Sequence, residues 1–389
     1  MKQIYLDYAA ATPCDNKILK LMEKLYSEFG NPSSIHLLGE MAKRYLEEAR
    51  NKVAKILNVK STEIVFVGGG TESVNLAIQG VARVFRNSSK RHIITTEIEH
   101  HAVLNTVKYI EKEEKFRVTY LKPNKTGLIE PSQISKAIKR DTFLISVMYA
   151  NNEIGTIQPI IEIGKIAKNR NIVFHTDACQ AAGFYDLNVQ KLNVDLMSLN
   201  GSKIYGPRGI GCLYIKHNTP IKSLILGGGQ ENNLRSGTEN LPAIVGFVKA
   251  LELVQKNRHK ESKRLVKLRD YFIKSVQRKI PEVILVGDRG LRLPNNAYFI
   301  FPNIRGEMIV RILSKNFGIC CSTGSACSNI NPEPSHVLLS LGYSPKLAQC
   351  GVRFSSGKNT TLDEVNYTIN VLPQALKKSK EVSPVILNS

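Results

Sequence analysis

The chain has 389 residues, 42% of them apolar and 22% charged; at roughly 100–200 residues per domain this predicts two domains, or one large elaborated one, around a sizeable core. Such a composition excludes a disordered tail, a collagen or a disulfide miniprotein. Lys and Arg number 54 against 33 Asp and Glu, a net charge of +21, which attracts polyanions without identifying one, so nucleic-acid contact stays open. No apolar stretch reaches the ~18–20 residues of a membrane span, and the N-terminus lacks the apolar run of a signal peptide. A cytoplasmic protein with no membrane contact is therefore expected, and its seven cysteines are expected to be reduced thiols.

In chain order, Ile18, Leu21, Met22 and Leu25 form one helical stripe and Met41, Tyr45, Ala49, Val53, Ile56 and Leu57 another, both predicting core helices. From about 60 to 215 short apolar runs alternate with helical segments: Ile64 to Val67, Ile93-Ile94, Val118 to Leu121, Phe143 to Val147, Ile172 to Phe174 and Gly211 to Ile215. That alternation predicts an α/β layer with a largely parallel sheet. The basic run from Lys256 to Lys279 reads as a solvated amphipathic helix with Leu265, Leu268, Phe272 and Val276 on its inner face. Beyond it, short strands are predicted around Ile284 and at Tyr298 to Phe301, then a helix near Met308 to Leu313 and a loop rich in Cys and Gly.

In parallel sheets ligands sit beyond the carboxyl ends of the strands, and the residues following these runs are polar. Gly68-Gly69-Gly70-Thr71 precedes an amphipathic helix; glycine admits close approach of an anion and the free N–H groups of the helix start bind phosphate. Asp177 follows one run and Lys203 lies further on, in Asn200-Gly201-Ser202-Lys203. A buried lysine can form a Schiff base with pyridoxal phosphate (PLP), and a carboxylate can keep the pyridine nitrogen protonated. Taken singly, these are equally an ordinary turn, a strand-end aspartate and a surface lysine; together they suggest a PLP enzyme. His100 at another strand end could lie over a cofactor ring, and Cys327 sits among small residues, Ser325-Ala326-Cys327-Ser328, that would leave a thiol exposed as a nucleophile requires. Cys320, Cys321, Cys327, Cys350 and His336 lack the paired spacing of zinc ligands, so no metal is expected.

These residues resemble the PLP-dependent cysteine desulfurases of the class-V aminotransferase family, the long-loop, iron–sulfur and nitrogen-fixation type. The resemblance runs from Tyr5-Leu6-Asp7-Tyr8-Ala9-Ala10 and Gly30-Asn31-Pro32-Ser33-Ser34 through Gly70-Thr71-Glu72-Ser73, Glu99-His100, Asn151-Asn152-Glu153-Ile154-Gly155 and Asp177-Ala178-Cys179-Gln180. It continues to Arg235-Ser236-Gly237-Thr238, Gly324-Ser325-Ala326-Cys327 and Val352-Arg353-Phe354-Ser355. It implies the α/β fold of fold-type I, aspartate-aminotransferase-like PLP transferases. A large domain with a mostly parallel sheet would span 15–258, and 1–14 with 259–389 would form a smaller α+β domain carrying the cysteine loop. The implied roles are Lys203 for the Schiff base, Asp177 for the pyridine nitrogen, Gln180 for the ring hydroxyl and His100 for stacking. Gly70, Thr71, Asn200, Ser202 and, from a neighbouring subunit of a homodimer, Thr238 would hold the phosphate. Asn152, also beside the cofactor, and Arg353 would hold the substrate carboxylate. Cys327 would take sulfur from L-cysteine as a persulfide, release alanine and deliver the sulfur to an acceptor protein, an iron–sulfur scaffold or a thiolation relay such as that of tRNA. Asn200 and Ser202 stand where the family usually has serine and histidine, which removes one donor and implies weaker cofactor retention. Two rivals are a selenocysteine lyase or aminotransferase-like enzyme, whose turnover survives Cys327→Ala, and a degenerate paralogue serving as an interaction module for a sulfur acceptor or RNA.

Overall fold

The computed structural model describes residues 3–27, 29–324 and 334–382. Its strands are β1 (Ile4–Tyr5), β2 (Ile64–Val67), β3 (His92–Thr96), β4 (Arg117–Leu121), β5 (Thr142–Ser146), β6 (Val173–Asp177), β7 (Leu196–Asn200), β8 (Gly211–Ile215), β9 (Ile284–Val286), β10 (Asn296–Ile300), β11 (Ile319–Cys320) and β12 (Gly351–Ser355). Seven of them form one sheet in the order β2-β8-β7-β6-β5-β3-β4. The neighbours from β7 to β4 pair in parallel, while β8 runs antiparallel to both β7 and β2. Side chains on both faces are apolar and buried, as crossover helices on both sides of a parallel sheet require: Ile94, Ile145 and Phe174 pack in one cluster, and Val65, Ile93 and Leu144 in another.

Each crossover places its turn at the same edge of the sheet. β2 feeds the helix Gly70–Phe85, β3 the helix His101–Glu114, β6 the segment after Asp177 and β7 the turn Gly201–Lys203. The polar residues that follow the apolar runs therefore converge on one rim, although they lie more than a hundred residues apart in the chain.

β9, β10 and β12 form a second, antiparallel sheet, and β1 pairs in parallel with β11. This sheet has its own core, which includes Phe272, Phe299, Phe301, Val352 and Phe354. The 39-residue helix Leu241–Lys279 spans both cores: Leu241, Phe247 and Leu251 pack with the first, Phe272, Ile273 and Val276 with the second. Its basic residues share it with buried Leu265, Phe272 and Val276. No helix among the described residues is long and apolar enough to cross a membrane.

Candidate active site

β7 ends at Asn200, whose side-chain oxygen accepts the Ser202 N–H and hydroxyl, both at 3.2 Å, and starts the turn carrying Lys203. A Cβ on Gly201 would lie 2.7 Å from the Pro207 carbonyl, so only glycine fits this turn. The Lys203 Nζ donates to the Ala9 and Ala10 carbonyls at 3.0 and 2.5 Å. Burial holds its pKa below the usual lysine value, which raises the fraction of free amine, the form with the lone pair a nucleophile uses. Asp177, at the end of β6 and 9% exposed, accepts the Cys179 N–H at 2.9 Å. Gln180 reaches back to the Ala9 carbonyl at 2.9 Å.

Gly69 has φ 145°, a conformation that favours glycine, and caps the helix Gly70–Phe85 without a side-chain hydrogen bond. The first N–H groups of that helix are thus free to bind an anion. A Cβ on Gly70 would meet the Cys179 Sγ at 2.9 Å and the Asn200 side chain at 3.3 Å, narrowing this end of the site. Gly68, Thr71, Ser202 and Arg208 border a cavity of about 370 Å³ here.

His100 caps the helix His101–Glu114, and its Nδ1 accepts the Ala102 N–H at 3.1 Å. Burial lowers its pKa, so the neutral ring carries its proton on Nε2. Glu99 before it is fully buried. One carboxyl oxygen accepts the Thr96 hydroxyl at 2.8 Å and the Met148 N–H at 2.9 Å, while the other has no partner among the described residues. Burial pushes its pKa up to about 8.

Asn151 folds the next turn by accepting the N–H groups of Glu153 and Ile154, both at 2.9 Å. That turn presents Asn152, whose carbonyl takes the Arg353 Nη1 at 2.7 Å, while Nη2 pairs with Asp7 at 2.8 Å. The guanidinium is 3% exposed and its Nε has no partner among the described residues, leaving one buried donor for an incoming acceptor.

Gly70, Thr71, His100, Asn152, Asp177, Gln180, Asn200, Lys203 and Arg353 all border one cavity of about 310 Å³, and Ser202 borders the cavity adjoining it. Thr238 borders neither; it is exposed in the loop following Arg235. Cys327 lies outside the described residues. Asp7 and Cys179 stand inside the motifs at residues 5–10 and 177–180 with no role of their own read from them, and Met148 and Arg208 carry no sequence signal as site residues. Cys179 was legible as the second residue after Asp177, whereas Asp7 reaches the site through its long-range contact with Arg353, which no local pattern encodes.

The class-V aminotransferase family model matches residues 4–368. The chain is 48% identical to the cysteine desulfurase IscS of Dictyoglomus turgidum over 98% of this chain and 97% of that protein. It is 40% identical to the human cysteine desulfurase over 99% and 84%. A solved NifS-like protein superposes with a TM-score of 0.90 at 38% identity, over 97% of this chain and all of that one. The chain is a class-V cysteine desulfurase. The family uses PLP, and the cavity of this desulfurase fits that group: the glycine cradle at Gly68 to Gly70 matches a phosphate, the buried carboxylate of Asp177 a pyridinium, and the burial-shifted amine of Lys203 an aldehyde. The fold-type I architecture of the desulfurase, with its α/β sheet and smaller second sheet, agrees with that of the solved relative.

Proposed function

We propose that this chain removes sulfur from L-cysteine, releasing alanine and holding the sulfur as a persulfide on Cys327 for an acceptor protein. The observation that carries the reading is the convergence of Lys203, Asp177, His100 and Arg353 on one cavity. Bound PLP supplies an aldehyde for the substrate amine and an electron sink for bond cleavage. Lys203 would hold PLP and would act as the base that takes the Cα proton. Asp177 would stabilise the protonated ring nitrogen, Gln180 would bond the ring hydroxyl, and His100 would lie against the ring and offer the proton of its Nε2–H. Gly70, Thr71, Asn200 and Ser202 bind the phosphate. Asn152 and the Arg353 Nε, which has no partner among the described residues, would hold the substrate carboxylate, with Asp7 and the Asn152 carbonyl fixing the guanidinium plane. The Cys327 thiolate would attack the substrate sulfur: an S–S bond forms, the C–S bond breaks with its electron pair left on Cβ, and protonation of Cβ together with return of the Cα proton from Lys203 gives alanine.

Residues 15–258 are the cofactor domain in this reading, and 1–14 with 259–389 the smaller unit. A homodimer places Thr238 of one subunit at the phosphate of the other. Supporting this, Phe29, Ile35 and Leu226 are 83%, 95% and 84% exposed, and Pro32 and Ser33 border one cavity with Asn232 and Glu239, next to Thr238. The acceptor is an iron–sulfur scaffold or a thiolation relay, and the compartment is the cytoplasm. The reading is tested by alanine release from L-cysteine and reductant with PLP-supplemented protein. Release by the wild type and not by Cys327→Ala is expected. Equal release by both would favour a lyase, and none from either a non-catalytic protein.

A further inference from the structure

The segment carrying Cys327 leaves the described chain at Gly324 and re-enters it at Pro334-Ser335. Both stems meet one side chain. Ser335 donates its hydroxyl to the Glu153 Oε2 at 2.6 Å, and a Cβ built on Gly324 would lie 3.0 Å from that same oxygen. Gly324 has φ 93° and packs on the Tyr298 ring, with 2.9 Å from the Cβ position to the ring edge. The Tyr298 hydroxyl bonds the neighbouring Thr323 carbonyl at 2.9 Å. Ser335 in turn caps the helix His336–Ser340 by accepting the Leu338 N–H.

Glu153 belongs to the turn that positions the substrate. It follows Asn152 directly, its N–H is held by Asn151, and its carbonyl accepts the Asn296 side chain at 2.8 Å. It is 2% exposed, and a buried carboxyl is costly unless it is hydrogen-bonded; the Ser335 hydroxyl at the loop stem supplies such a bond. Glu153 does not itself border the cofactor cavity.

Resting on the reading of Cys327 as the sulfur-accepting thiol, we infer that Glu153 is a positioning residue that ties the root of the cysteine loop to the substrate-binding turn. It fixes where the loop starts and ends relative to the bound cysteine, and so governs the sulfur-transfer step more than substrate binding. Reacting atoms must approach within van der Waals distance, and a misplacement of about an ångström is enough to slow a reaction steeply.

The test compares wild type, Glu153→Ala, Glu153→Gln and Ser335→Ala, each loaded with PLP. L-Cysteine affinity is read from the absorption change of the bound cofactor, and transfer from the single-turnover rate of persulfide formation on Cys327, followed by alkylation and peptide mass. The expected result is cysteine affinity within about twofold of wild type in all variants, with transfer slowed about tenfold or more in Glu153→Ala and Ser335→Ala. Glu153→Gln, which still accepts from Ser335, should recover most of the rate. Unchanged transfer in Ser335→Ala, or transfer that falls only in proportion to cysteine affinity, overturns the inference; Ser335→Ala decides it should Glu153→Ala fail to fold. Absence of a Cys327 persulfide in wild type would instead sink the functional reading on which the inference rests.

Discussion

Glu99 and His100 show how adjacent residues at one strand end are set by burial in opposite senses. Desolvation favours the neutral form of each, raising the carboxyl and lowering the imidazole. For His100 this keeps a neutral ring in the cavity at working pH. For Glu99, a folded value of about 8 against an ordinary 4.5 means that the folded state retains a proton which the unfolded state releases between those values. Its contribution to stability is complete below about pH 4.5 and is lost as pH rises through 8. Glu99→Gln should therefore gain thermal stability relative to wild type as pH is raised from about 5 to 9, with little difference at the acid end. Parallel melting curves across that range would show that Glu99 is ionised when folded. His100 and Glu99 are readable as neighbours in the sequence. Their protonation is not, because it depends on Thr96, Met148 and a second oxygen that has no partner among the described residues.

At the scale of elements, the alternating apolar runs locate β2, β4, β5 and β8 within one residue, β3 within two and β6 within three. β7, which delivers Lys203, escaped notice: Leu196-Met197-Ser198-Leu199-Asn200 contains no β-branched residue and is as compatible with a helix as with a strand. The antiparallel course of β8 also leaves no trace in periodicity, since strand direction depends on the connection and not on the side-chain pattern. β12 carries Arg353 and was visible only as a motif. Its first residue is constrained by packing: a Cβ on Gly351 would sit 2.2 Å from the Tyr298 hydroxyl. Gly351→Ala should therefore cost about 1–3 kcal/mol in chemical denaturation and disturb the Tyr298 bond to Thr323. A change below about 0.5 kcal/mol would mean that β10 and β12 can separate to accept the methyl.

Across the whole molecule, the site is assembled from the carboxyl edge of the large sheet, the N-terminal segment and β12. The carbonyls of Ala9 and Ala10 receive Lys203, and Asp7 orients Arg353. The sequence motifs named most of the lining, but the joining of residues 7–10 to residues 203 and 353 is a product of topology. The second copy expected to supply Thr238 has a defined consequence. Replacing exposed Ile35 and Leu226 by Asp should shift the protein from dimer to monomer in sedimentation and speed PLP loss on dialysis. A monomer that retains PLP as well as wild type would show that the phosphate site is complete within one chain.

The central claim is that sulfur passes from L-cysteine to Cys327 with stoichiometric release of alanine. Its most direct measurement is peptide mass analysis of PLP-loaded protein after one equivalent of L-cysteine without reductant, with alanine quantified in the same sample. The expected result is one added sulfur on the peptide containing Cys327 and a matching yield of alanine; alanine released with no sulfur on that peptide would rule out transfer to Cys327.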